Sequence, residues 1–258
     1  MSRFSNLEFG QGSDDQALHT GAVVKDGDYY CIEAQTAFEQ GAFESALRSY
    51  SKVLEFSPQN TVAWTGQVRM LIELGEYREA GLWADRALER FPHEPELLAA
   101  KAVALARSGN LQEALALSDA SIEERGDTSY IWLARGDVLL ANNEVRADYC
   151  FEKALRIAPQ NWFITWLAAR IRFYYEQFAL ALKLLQRALE FNTGHFLLWL
   201  ELGRCQQALG LFGPARMSFT QAKQLNPQCH DASLAMVRLS NAGLSGRVGG
   251  WWRRLFSK

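Results

Sequence analysis

Six alanines, Ala46, Ala80, Ala114, Ala147, Ala181 and Ala215, follow one another at intervals of 34, 34, 33, 34 and 34 residues. A second row, Tyr30, Trp64, Leu98, Trp132, Trp166 and Trp199, steps by 34, 34, 34, 34 and 33. Two independent tracks that keep one period over six units describe an array of similar modules, each of which buries its apolar side against its neighbours.

Within a unit the residue types have physical jobs. A large apolar residue comes early, and four positions later Ala34, Ala102, Gly136 or Gly203 leaves room for a second helix to approach. Mid-unit stops follow at Gly41, Gly75, Gly109 and Gly210, with Asn143 in the fourth unit. Glycine, and next asparagine, tolerates the left-handed conformation that ends a helix. The alanine then marks a second helix, and Pro58, Pro92, Pro159 or Pro227 closes the unit because proline cannot continue one.

Two stretches, AFEQGAFESALRSYSKVLEFSP and WLELGRCQQALGLFGPARMSFTQAKQLNP, carry the W-x2-L-G…A-x3-F…P pattern almost in full. The chain therefore resembles the tetratricopeptide-repeat family over roughly residues 27–229. That resemblance implies an all-α fold: a right-handed superhelical solenoid of six helix–turn–helix repeats. The windows are 27–60, 61–94, 95–128, 129–161, 162–195 and 196–229. A capping helix is expected over 230–241, because stacked repeats leave their last apolar face bare. Residues 1–26 lack periodicity and read as a flexible segment, and 242–258 as a Gly/Ser linker with a basic, aromatic tail.

Three departures stand out. The third unit ends in Gly126 instead of proline, which predicts a looser exit. The Trp-to-Ala distance is 15 in units four and five against 16 in units two and six. The simplest expectation is a tighter turn in both units, one extra residue near Pro159–Trp162, and a local irregularity between units four and five.

Composition excludes several classes. A net charge of −2 gives no field drawing the chain to nucleic acid or an anionic membrane. Cys31, Cys150, Cys205 and Cys229 have no CxxC or CxxH spacing, so we expect neither disulfides nor a metal site, and a reducing, cytoplasmic location. The N-terminal stretch has no apolar run of signal or anchor type, and no window reaches the 18 apolar residues of a membrane span. His19, His93, His195 and His230 have no acid or nucleophile in helical register, and phosphate-loop, HExxH and GxSxG motifs are absent. We expect no enzyme and no cofactor.

The resemblance implies that the first helix of each pair lines a concave surface. Its inner stripe selects Cys31, Gln35 and Phe38, then Thr65, Arg69 and Ile72, then Ala99, Val103, Ala106 and Arg107. Unit four adds Tyr130, Leu133, Asp137 and Leu140, and unit six Leu197, Leu200, Arg204 and Gln207. Unit five has two phases. Counting from Trp166 gives Ile164, Leu167, Ile171 and Tyr174, whereas counting back from Ala181 gives Trp166, Arg170, Phe173 and Tyr174. The candidate partner-binding residues are Arg69, Arg107, Tyr130, Asp137, Arg170, Phe173, Tyr174, Arg204 and Gln207. An apolar, aromatic stripe with a few arginines suits a partner helix or extended segment with hydrophobic anchors and acidic groups. Trp64, Trp132 and Trp199 read as core. Relatives that hold the acidic C-termini of heat-shock chaperones carry Lys, Asn, Asn, Lys and Arg across three first helices. Cys31, Gln35, Gly66, Glu96 and Ala100 stand at the matching places, so that clamp is not expected.

The tail holds Trp251, Trp252, Arg253, Arg254, Leu255 and Phe256, a set suited to a lipid interface or an apolar cleft. It can dock a partner or membrane, fold into its own groove, or cap the last helix. The expected function is a scaffold or adaptor that binds a protein segment in the concave groove. The alternative is a peripheral membrane assembly factor making weak lipid contact through the tail.

Overall fold

A computed structural model of the chain describes residues 25–124 and 126–240. They are helical throughout, with no strand among them. The expectations for residues 1–24 and for the linker and tail lie outside the described residues. The chain divides at Ile157/Ala158 into two compact units.

The first unit contains α1 (Gly27–Glu39), α2 (Phe43–Phe56), α3 (Thr61–Glu73), α4 (Tyr77–Leu88), α5 (Pro95–Arg107), α6 (Leu111–Glu123), α7 (Ser129–Ala141) and α8 (Ala147–Ile157). Each helix packs on the next, and α5 also lies against both α3 and α7. These first helices therefore form a continuous wall. The second unit contains α9 (Trp162–Tyr174), α10 (Phe178–Phe191), α11 (Phe196–Ala208) and α12 (Phe212–Leu225), again packed in sequence. A last helix, α13, spans 230–240 and buries Ala232 and Leu239.

The alanine row explains the pairing. All six alanines are at most 1% exposed, so each second helix meets its neighbours with nothing larger than a methyl group. Any longer side chain would push the helices apart in a core packed to crystal-like density. An ideal Cβ on Gly203 would sit 2.5 Å from the Phe219 ring, as the small-residue row anticipates.

The turns within pairs share one kind of stop. Gly41, Gly75, Gly109, Asn143 and Gly210 all have positive φ, as their composition predicts. Beyond each, a backbone N–H reaches back five residues: Ala42 to Ala37, Glu76 to Leu71 and Asn110 to Leu105, each at 2.9 Å. This bond satisfies a carbonyl that the helix end would otherwise orphan, so the second helices start without side-chain caps. Most first helices are capped by side chains instead. Asp26 accepts from Tyr29 N–H, Asn60 from Ala63, Thr128 from Ile131 and Asn161 from Phe163 and Ile164.

Three expectations are corrected. First, the fifth turn is not shortened. Helix α9 has 13 residues like its counterparts and stops at Glu176, φ 57, a residue that nothing in the sequence marks as left-handed. The register is the one counted back from Ala181, and Trp166 stands one place beyond the Trp64 position, which Thr165 fills. The missing residue belongs to the fourth turn alone, and Pro159–Trp162 holds no extra one. Second, the exit at Gly126 is tight. A Cβ there would meet Ser121 O at 2.3 Å and Ile131 Cδ1 at 2.5 Å. Third, Trp199 is only half-buried, its indole N–H donating to Thr193 O at 2.8 Å, whereas Trp64 and Trp132 are core.

Two stability changes are expected. Glu176→Gly relieves a left-handed conformation that costs an ordinary residue roughly 1 kcal/mol, and raises the melting temperature by a few degrees. Gly126→Ala overpacks against backbone and lowers stability by about 1–3 kcal/mol. Thermal melts of both variants check these signs.

Candidate functional site

The inner wall of the first unit is set by α3, α5 and α7, whose stripes carry the nominated residues. Arg69 on α3 places its guanidinium carbon 3.9 Å from the centre of the Tyr130 ring on α7. On α1, Phe38 supplies a second ring at 4.9 Å. An arginine between two rings gains cation–π attraction and loses rotamer freedom before any partner arrives. The intervening helix α5 carries only Ala99, Val103 and Ala106 at the matching positions, all buried, which lets Arg69 reach across it.

Arg107 of α5 and Asp137 of α7 form a two-pronged pair, Nη2 to Oδ2 at 2.6 Å and Nε to Oδ1 at 3.3 Å. Both side chains are buried, Asp137 being only 2% exposed. The pair fixes the α5–α7 spacing. Its polar groups are spent on each other.

The second unit repeats the theme with different partners. Arg170 of α9 and Arg204 of α11 both donate to Glu201 Oε1 at 3.1 Å. Arg204 also reaches Asp231 of α13 at 2.6 Å, which ties the last helix to the stripe. Around them stand Phe173, edge-on to Phe178 at 5.1 Å, and the exposed Tyr174, edge-on to Tyr175 at 4.9 Å. Gln207 is half-buried, one turn beyond Arg204. Sequence reading missed Glu201 and Asp231. Glu201 lies three residues before Arg204, a helix spacing that brings the two side chains together, so the signal was present. Asp231 sits on a different helix and carried no such signal.

Electrostatics on this face favour neutral phenols. Burial pushes Tyr130 far above the usual tyrosine range, and Tyr50 upward against the opposing charge of Arg69. Thiol chemistry is disfavoured: burial raises Cys150 and drives Cys205 to about 12. A separate hollow of about 460 Å³ between α1 and α2 is lined by Tyr30, Glu33, Arg48 and Lys52 among others. Its polar groups are engaged locally, Glu33 with Ser49, Arg48 with Ser45 and Lys52 with Glu55. The tail residues Trp251, Trp252, Arg253, Arg254, Leu255 and Phe256 fall outside the described residues. No described helix is long and apolar enough to cross a membrane.

The model of the tetratricopeptide repeat matches residues 37–102. The BBSome complex member BBS4 of Bos taurus is 24% identical over 154 residues, 59% of this chain and 30% of that protein. The CTR9 homolog of Arabidopsis thaliana is 32% identical over 107 residues, 41% of this chain and 10% of that protein. The chain thus spans less than a third of either relative. Among solved structures, a tetratricopeptide repeat protein from Parabacteroides merdae matches with a TM-score of 0.53 at 17% identity, over 83% of this chain and 84% of that one. The human IFIT1 dimer with m7Gppp-AAAA matches with a TM-score of 0.51 at 19% identity, over 89% and 59%. At such identities the likeness is one of fold.

The Arg107–Asp137 pair generates a prediction. Arg107→Ala leaves a buried carboxylate uncompensated and costs about 3 kcal/mol or more. The double change Arg107→Met with Asp137→Leu, which removes both charges, stays within about 1 kcal/mol of the parent. Urea unfolding of the three proteins distinguishes a structural pair from an idle one.

Proposed function

The chain is a tetratricopeptide-repeat protein, and on that premise we propose that it is a non-catalytic scaffold holding a segment of another protein against its first helices. The observation that carries this reading is the makeup of the first-helix stripes. In each unit the first helices carry a stripe of aromatic and arginine side chains, partly open at Arg69 and Tyr130 in the first unit and at Tyr174 and Gln207 in the second. Aromatic and arginine side chains dominate the energetics of protein recognition. The cytoplasm is the location consistent with four unpaired cysteines.

The reading is tested on 12-residue peptides selected from a random library against the full-length chain. A photo-reactive amino acid placed at Gln35 or Tyr174, on the stripe, should crosslink a bound peptide. The same group at Leu82 or Met217, both exposed on second helices, should not. Capture from the second helices alone contradicts the proposal. Lipid contact through Trp251–Phe256 rests on the composition of the tail, and flotation with anionic vesicles tests it. Equal flotation of the full chain and a chain ending at Gly250 removes it.

A further inference from the structure

Of the four arginines on the inner stripes, three hold a carboxylate of the chain itself. Arg107 has Asp137, and Arg170 and Arg204 share Glu201. Arg69 has no hydrogen-bonded acid among the described residues, and neither does the Tyr130 hydroxyl on which it stacks. The Phe38 and Tyr130 ring centres lie 4.9 Å and 3.9 Å from the Arg69 guanidinium carbon. Arginine's five donors lie in one plane and match a carboxylate two at a time. A cation fixed this way offers its donors with little ordering left to do on binding.

The surroundings limit what can approach. Glu96, Asp137 and Glu73 act on Tyr130 and Glu39 on Tyr50, so a run of acids would be repelled, Asp137 being already held by Arg107. Between the two residues the α5 stripe is Ala99, Val103 and Ala106, a buried apolar floor that ends at Arg107, which Asp137 holds. From this we infer that Arg69, with the Tyr130 hydroxyl beside it, anchors a single Asp or Glu side chain of the bound segment, flanked by apolar residues. The inference rests on the proposal that the first helices hold a partner segment. It differs from the chaperone-binding clamp, whose five positions are filled here by residues of other kinds.

The probe is the same 12-residue random library, selected in parallel on the full-length chain and on its Arg69→Ala and Arg69→Lys variants, each checked by thermal melting. Peptides selected by the parent should carry one acid among apolar residues, and Arg69→Ala should lose that enrichment. For a selected peptide, Glu→Gln should weaken binding to the parent by about tenfold or more, the scale of a charge-assisted hydrogen bond. The same peptide change should alter binding to Arg69→Ala less than about twofold. Arg69→Lys, which keeps the charge without the planar fork, should fall between the two and stands in for Arg69→Ala if that variant fails to fold. An equal penalty for Glu→Gln on the parent and the arginine variants, or parent-selected peptides without an acid, overturns the assignment of Arg69. Selection of no peptides by the parent overturns the partner-binding reading itself.

Discussion

Everything in this chain depends on one position in each second helix where nothing larger than a methyl group fits. The six alanines of that row bring each second helix into close contact with its neighbours. From α3 onward the first helices are nevertheless the more deeply buried of each pair, with nine of thirteen residues of α3 and ten of thirteen of α7 buried, and their wall leaves Arg69 and Tyr130 partly open. A solenoid buries apolar area between neighbours only, so its inner surface is not consumed by a central core.

That wall is not blank. Across α3, α5 and α7 an arginine sits between two rings and a second arginine grips a buried aspartate. In the second unit two arginines share Glu201, which is 4% exposed, and one of them reaches on to Asp231. The buried Arg107–Asp137 pair contributes little net stability, because desolvation opposes the attraction, and the exposed Arg204–Asp231 pair adds little because water screens it. Their effect is geometric: they set which first helices face each other and at what spacing. They also sort the arginines into those already committed and one that is not.

Much of this was legible in the sequence because repetition turns weak local signals into strong ones. A single Gly or Ala says little, whereas Gly41, Gly75, Gly109 and Gly210 at one phase specify a left-handed stop, and each has it. Legibility failed where a unit departs from the pattern. Glu176 takes the left-handed position through its tertiary setting, against its own preference, so no residue type announced it. Trp166 imitates the Trp64 position from one place further on, which displaced the fifth register. Gly126 replaces a proline, and composition suggested slackness where a Cβ would fall 2.3 Å from Ser121 O. The stripe itself was readable from helical periodicity. Pairing was readable for Arg204 and Glu201, three residues apart on one helix, but not for Asp137 and Asp231, which lie on other helices than the arginines they meet.

The placement of a bound segment on the first helices is tested most directly by amide hydrogen exchange of the full-length chain, alone and saturated with a selected peptide. Added protection is predicted along first helices, in α3, α5 and α7 or in α9 and α11, with the second helices unchanged. Protection gained chiefly in the second helices, α4, α6, α8, α10 or α12, would contradict the account.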